Sequence, residues 1–224
     1  MQTTCTKNLL SGCNRLSIRA SALAVIRGSA VRVVVVALIL FGQSSAAQAS
    51  PGARHVGSIA DLLQQAEAGN AQAQYELGIH YYDGAGVPKD SANALKCFRK
   101  AADQDHALAQ LALGRFYREG RLGLEKNPQE AVAWFRKAAE QGDAWGQSEL
   151  ALMYELGEGV AQDSAEAVRW YARAADQALP VAQFDLAYMY ANGKGVPADA
   201  ERAVRLYEPS AVSVPVARFN LASL

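Results

Sequence analysis

Four glutamines, Gln74, Gln110, Gln147 and Gln183, stand 36, 37 and 36 residues apart, each inside the same short pattern. Ala71-Gln72-Ala73-Gln74-Tyr75-Glu76-Leu77-Gly78 lies in register with Ala107-Leu108-Ala109-Gln110-Leu111-Ala112-Leu113-Gly114. Ala144-Trp145-Gly146-Gln147 and Pro180-Val181-Ala182-Gln183 open two further copies, and a fifth begins at Pro215. A period in the thirties constrains the chain more than any composition can. It signals a helical hairpin that cannot bury its apolar face alone and stacks against its neighbours to do so.

Each unit divides into two helices. In the first unit Ala73, Leu77 and Tyr81 recur every four positions and mark one buried stripe. Gly84-Ala85-Gly86-Val87 follows, echoed by Gly157-Glu158-Gly159-Val160 and Gly193-Lys194-Gly195-Val196, and a glycine there accepts the left-handed backbone that ends a helix. The second helix starts at Asp90, Asn127, Asp163 or Asp199. Asn127 with Glu130, and Asp163 with Glu166, have capping-box spacing. Its inner stripe holds Ala131, Trp134, Phe135 and Ala138, with Trp170 and Tyr171 at the matching places of the third unit. The two tryptophans are expected to be buried and to hold the array together.

Three departures predict local differences. An extra residue within Gly120-Arg121-Leu122-Gly123-Leu124 should bulge the second hairpin. Cys97 stands where other units have Trp, which predicts a small, buried, inert thiol. Pro209 should end the fourth second helix about a turn early.

Taken together, Ala-x-Ala-Gln-x-x-Leu-Gly, a Tyr four residues after that Leu, Gly-x-Gly-Val, and Ala-x-x-Trp-Tyr/Phe-x-Lys/Arg-Ala-Ala resemble the Sel-one-like repeat. That family is a relative of the tetratricopeptide repeat with a slightly longer loop between helices, and the resemblance covers residues 71 to about 207. It implies an all-α fold, a right-handed α-solenoid of antiparallel helix pairs with about four repeats and partial end caps. The expected segments are repeats over 71–106, 107–143, 144–179 and 180–214, a half-repeat cap over 57–70 and a partial fifth repeat over 215–224. A polar outer face at each end is what a solenoid requires.

The formal net charge of zero hides two unlike parts. All five basic residues before Ser50 lack an acidic partner, whereas the remainder holds 17 basic and 22 acidic residues, a net of −5. Arg32 precedes the uncharged run Val33 to Phe41, too short for the about 20 residues that span a bilayer. Gly42 breaks the run, and Ala47-Gln48-Ala49 offers a small-x-small cleavage pattern. Residues 1–49 therefore read as a signal peptide cleaved after Ala49, with 50–56 a short linker and a periplasmic or secreted body. The membrane enters only through that export signal, an uncleaved anchor and a transit peptide being the rival readings. Cleavage would leave Cys97 as the one cysteine, so packing rather than a disulfide must hold the body.

Catalytic chemistry is not indicated. His55, His80 and His106 lack the i, i+4 spacing with a carboxylate that a zinc motif needs, and the Gly-x-Gly loops follow helices rather than strands. No enzyme activity, metal or cofactor is expected. Some cysteine-rich relatives act on β-lactams, but they carry a Cys pair in each repeat and this body has one Cys in all. Nucleic acid is disfavoured by the acidic body, which lacks a basic stripe for phosphates.

What the resemblance implies about binding is a concave surface lined by first-helix side chains beside the buried stripe. Carried onto this chain, those places hold Tyr75 and Tyr82 in the first unit, Arg115 and Arg118 in the second, Trp145 in the third, and Phe184 and Tyr188 in the fourth. The same set of places holds Gln72 and Ile79, Leu108 and Leu111, Ser148, Leu152 and Glu155, and Val181 and Ala191. Aromatic residues and Arg are favoured at interface hot spots, and the two guanidiniums could fork a carboxylate or backbone carbonyls. Reversing both arginines to Glu is expected to leave the fold intact. The resulting expectation is an extracytoplasmic scaffold or adaptor that docks a protein or peptide in this groove, regulatory or part of an envelope or secretion assembly. A cell-wall or glycan-binding module is the alternative, and a hydrolase the third reading.

Overall fold

The computed structural model describes residues 58–215, 217 and 220. The expected leader and linker lie outside the described residues, as do residue 57 and the remainder of the last segment.

Among the described residues there are nine α-helices and no strand. They are α1 (Ile59–Glu67), α2 (Ala71–Asp83), α3 (Ser91–Ala102), α4 (Ala107–Glu119), α5 (Pro128–Glu140), α6 (Ala144–Leu156), α7 (Ser164–Asp176), α8 (Pro180–Asn192) and α9 (Ala200–Ser210). Each helix packs on the next, so α2/α3, α4/α5, α6/α7 and α8/α9 are hairpins and the remaining contacts are junctions between them. The result is a solenoid whose first helices α2, α4, α6 and α8 form one layer and whose second helices form the other.

Local sequence explains where helices start and stop. The side chains of Asp90, Asn127, Asp163 and Asp199 each accept a backbone N–H from the first turn of the helix they open. The first helices all end on a left-handed glycine, as at Gly84 with φ 77°. Every hairpin loop is then closed by the same bond. The N–H of the capping residue donates to a tyrosine carbonyl on the preceding helix, Asp90 to Tyr81 at 2.9 Å, Asp163 to Tyr154 at 3.0 Å and Asp199 to Tyr190 at 3.0 Å. Asn127 makes it to Tyr117 at 2.8 Å despite the extra loop residue. Leu122 and Gly123, both at positive φ, absorb that residue while Leu124 N–H closes a turn on Arg121, so the predicted bulge is confined to the loop tip. The full reciprocal capping box forms at Ser58 and Asp61, whereas the Glu166 carboxylate accepts from Arg169 at 3.0 Å instead.

The core differs by one residue from the expected tryptophan stripe. Phe98, Phe135, Tyr171 and Tyr207 are the deeply buried rings, each one position after Cys97, Trp134, Trp170 or Leu206. One residue turns a helix by about 100°, enough to move Trp134 to a half-buried flank beneath the Lys137 ammonium, 4.1 Å from the ring centroid. Trp170 is buried beneath Arg173 in the same way. Cys97 is half-buried, not buried, for the same angular reason. In the first two hairpins a glycine makes room for the ring, where the third and fourth have Ala151 and Ala187: a Cβ at Gly114 would overlap the Phe135 ring, and one at Gly78 would lie 3.0 Å from Phe98. Pro209 also corrects an expectation. It sits in the last turn of α9, which runs on to Ser210 and is 11 residues long against 13 for α5 and α7. So near a helix end proline removes one donor without breaking the turn, and Ala211 N–H still reaches Tyr207 at 2.8 Å.

The junctions are stitched by the glutamines that mark the period. Gln74, Gln110 and Gln147 are buried, and each donates Nε2–H back to a carbonyl near the end of the preceding second helix, Ala66, Ala102 and Ala139, at 3.0, 3.2 and 3.3 Å. Each then accepts at Oε1 from a glutamine just past the second helix of its own repeat, Gln104, Gln141 or Gln177, at 2.7, 2.7 and 2.9 Å. Past α9, Val214 and Ala217 are buried with Tyr207, whose hydroxyl accepts from Asn220 at 3.2 Å.

Candidate functional site: the first-helix face

Side chains at the places expected to line a groove fall into two groups. Leu111, Ser148, Glu155 and Val181 are buried in the packing beneath the face. Tyr75, Tyr82, Arg115, Arg118, Trp145, Phe184 and Tyr188 are all half-buried. Ile79 and Leu108 are the exposed aliphatics of this layer, at 37% and 41% relative exposure.

Most of the half-buried groups already have partners. Tyr75 stacks on His106 at 4.8 Å between centroids and meets the edge of Phe98 at 5.8 Å. Burial pushes its phenol up, against the pull of Arg115. Tyr82 packs on Phe116, its hydroxyl accepts from Arg121, and the Lys89 and Arg121 cations lie over its ring. Phe184 rests against Tyr207 at 5.5 Å, and Lys194 lies 4.7 Å above Tyr188.

The arginines join the second repeat to the third. Arg115 donates from Nε to Glu149 Oε1 at 2.8 Å, with its guanidinium 5.7 Å from the Trp145 ring. Arg118 donates from Nη1 to Glu149 Oε2 at 3.1 Å and from Nε to Glu158 at 3.3 Å. The Glu149 side chain retains 7% exposure, so two cations hold one buried carboxylate. That removes the ground for expecting both to become Glu without harm to the fold, which was that neither side chain takes part in the packing. Nearby, the Glu119 carboxyl is pushed up by burial and by the Glu149 charge, against the pull of Arg118 and Arg115.

Glu149 was the residue sequence reasoning missed. A signal for it existed, because Glu76, Glu149 and Asp185 all fall two places after the marker glutamine. His106 was missed too. It caps α4 by accepting from Ala109 N–H at Nδ1, 3.2 Å away, and its Nε2 pairs with Gln72 Oε1 at 2.8 Å. Gln72 in turn donates to Glu76 at 2.6 Å. These bonds require the neutral ring with its proton on Nε2.

Among the described residues no group of three or more His, Cys, Asp or Glu side chains is arranged to hold a metal. Burial pushes the Cys97 thiol up, opposed by Lys100 and Lys96, which keeps it protonated and weakly nucleophilic.

A Sel1 repeat model matches residues 71–106, 107–143, 146–179 and 180–211. The chain belongs to the Sel1 repeat family. Sel1 repeat proteins are generally protein-interaction scaffolds, typically without catalytic activity. Among solved structures, this Sel1 repeat chain is similar to c5321, a protective antigen of uropathogenic Escherichia coli strains with an SLR fold. The two share 37% identity and a TM-score of 0.68 over 70% of this chain and 33% of that one. It is also similar to a Sel1 repeat protein from Oxalobacter formigenes, at 40% identity and a TM-score of 0.66 over 71% and 64% of the two chains. A 60-residue stretch is 40% identical to HRD3A, an ERAD-associated E3 ubiquitin-protein ligase component of Arabidopsis thaliana, covering 26% of this chain and 9% of that protein. The chain thus spans less than two thirds of the length of each of these relatives.

Proposed function

We propose that this Sel1 repeat protein is an extracytoplasmic scaffold that docks a protein or peptide partner on its first-helix face. The observation that carries the reading is the pair of exposed aliphatics, Ile79 and Leu108, on adjacent first helices among half-exposed aromatics. Water-exposed apolar side chains grouped with Tyr and Trp are the ingredients of an interface centre. The contact surface comprises Tyr75, Tyr82, Trp145, Phe184 and Tyr188, with Arg115 and Arg118 at its middle. The extracytoplasmic setting rests on the basic, acid-free leader with its short apolar run and Ala47-Gln48-Ala49. No helix among the described residues is long and apolar enough to cross a membrane.

The test is co-purification from fractionated cells with the leader intact in the gene. A partner protein should copurify with the processed chain from the envelope or medium, and an Ile79→Asp, Leu108→Asp double variant should fold and lose it. A folded double variant that keeps its partner moves the docking surface elsewhere. Unprocessed chain in the cytoplasm overturns the setting, and sedimentation with purified peptidoglycan in place of a protein partner favours glycan binding.

A further inference from the structure

His106 ties two first helices together where the exposed aliphatics meet. Its ring stacks on Tyr75 of α2 at 4.8 Å between centroids, and its Nε2–H donates to Gln72 Oε1 at 2.8 Å. Its Nδ1 accepts from Ala109 N–H at 3.2 Å. Gln72 is itself oriented, because its amide donates to Glu76 at 2.6 Å. Ile79 follows Tyr75 by one helical turn, and Leu108 lies two residues after His106 in the first turn of α4. The Tyr75–His106 pair therefore lies between the two aliphatics. The matching cap places hold Asn70, Asp143 and Leu179, so the second repeat is the one whose cap titrates near neutral pH.

Every bond of this arrangement uses the neutral ring. A second ring proton would face Ala109 N–H, donor against donor, while that N–H keeps the His106 carbonyl at 3.0 Å. The start of α4 is thus held by its own backbone, and the ring takes the change. The charged groups on the elements around it are Glu76 on α2, Arg99 and Lys100 on α3, and Asp103 and Asp105 in the intervening turn. Arg115 on α4 and Asp143 at the head of α6 act on the stacked Tyr75. Glu76 favours the imidazolium, but desolvation outweighs it and holds the ring below its usual pKa. A partner that covers Ile79 and Leu108 takes further water from this ring. A neutral imidazole tolerates that loss, and an imidazolium does not.

Resting on the docking reading above, we propose that docking is linked to loss of a proton from His106, so that the first-helix face holds its partner at neutral pH and releases it in acid. The bound protein takes up that proton less readily than the free one. Affinity is therefore full above the free protein's titration and falls as pH drops through it, by at most about tenfold per pH unit for one proton.

The experiment is fluorescence anisotropy with a labelled, uncharged amphipathic peptide of Leu, Gln and Ser with blocked ends, from pH 7.5 to 5. Circular dichroism checks the fold at each pH. Wild-type affinity should fall about fivefold or more over this range, within the one-proton limit. His106→Asn, which installs the cap found at Asn70, should bind without that slope. Glu76→Gln removes the carboxylate that favours the imidazolium and should move the fall to lower pH. His80 turns to the loop, its Nδ1 2.6 Å from Ala85 O, and His80→Asn should keep the wild-type slope. A wild-type affinity that stays level, or an unchanged slope in His106→Asn, overturns the linkage and leaves the docking face standing. Peptide binding that is absent at every pH, or that survives Ile79→Asp with Leu108→Asp, overturns the docking reading and the linkage with it.

Discussion

Breaking a buried ion pair typically costs ~3–5 kcal/mol, whereas an exposed pair is worth ~1 kcal/mol or less. Glu149 lies near the buried limit and its two arginines are about one-fifth exposed. Arg115→Glu with Arg118→Glu would strip both cations from that carboxylate and set two like charges beside it. The double variant should lose stability between those limits or beyond, read as a lower denaturant midpoint, and adding Glu149→Gln should recover part of it. An unchanged midpoint would mean that Glu149 finds water instead. The rings make a second residue-scale case. Phe135 is fully buried and touches Gly114, while Trp134 is a half-buried flank. Phe135→Ala should cost ~3–5 kcal/mol and Trp134→Ala distinctly less, compared by urea unfolding of the two variants. Adjacent large aromatics are indistinguishable to a four-residue periodicity, which is why the stripe was legible in the sequence and its deepest member was not.

Helix ends were legible because their causes are local. An acceptor side chain at the start and a glycine at the stop lie within a turn of what they satisfy, so Asp90, Asp163 and Gly84 could be read directly. His106 escaped notice because its capping role needs a particular tautomer, fixed by Gln72 34 residues earlier. Its element-scale consequence is a pH dependence. Burial lowers its pKa from the usual value near 6.5, with Glu76 and its own backbone hydrogen bond opposing. A proton at Nδ1 would abolish the side-chain acceptor for Ala109 N–H, leaving it the His106 carbonyl at 3.0 Å, and place positive charge at the helix N-terminus, where it is unfavourable. Since the folded chain binds this proton more weakly than the unfolded one, the contribution is present above pH 6.5 and is lost as pH falls through the folded value. Thermal unfolding from pH 7.5 to 5 should therefore show a decline in the wild type. His106→Asn, which installs the cap found at Asn70, should flatten that decline. An identical slope in the variant would assign the acid sensitivity to other groups.

Over the whole molecule, the residue most legible in sequence proves to be the one that binds copies together. A repeat marker could have been a core apolar residue, yet it is a polar side chain buried at the boundary. At Gln74, Gln110 and Gln147 it satisfies a carbonyl of the preceding helix and accepts from a glutamine just past its own repeat's second helix, whereas Gln183 is half-buried. That placement explains its 36- or 37-residue period better than hairpin packing does, since each hairpin could fold around its aromatic ring with an apolar residue there. The inter-helix ion pairs were not legible, because Arg115 and Glu149 are 34 residues apart and nothing local links them. Stability in a solenoid is close to a sum of repeat and nearest-neighbour terms, so weakening one junction should be felt as lost cooperativity as well as lost stability. Gln147 supplies the test at the central junction. Gln147→Leu keeps the bulk but removes one bond from the exposed Gln177 amide, which still donates to Gly142 O at 2.9 Å, and one bond to Ala139 O, which Gly142 N–H still reaches at 3.0 Å. A hydrogen bond contributes ~0.5–1.5 kcal/mol net, so losing these two should weaken the junction by a comparable amount for each. Native-state hydrogen exchange should then show α5 to α7 opening at lower free energy than in the wild type. The amides of α2 and α3, two junctions away, should retain most of their protection, and the denaturant transition should broaden. Uniform loss of protection in all helices, with an equally sharp transition, would mean that the repeats unfold as one unit and that the glutamine ladder does not set the boundaries between them.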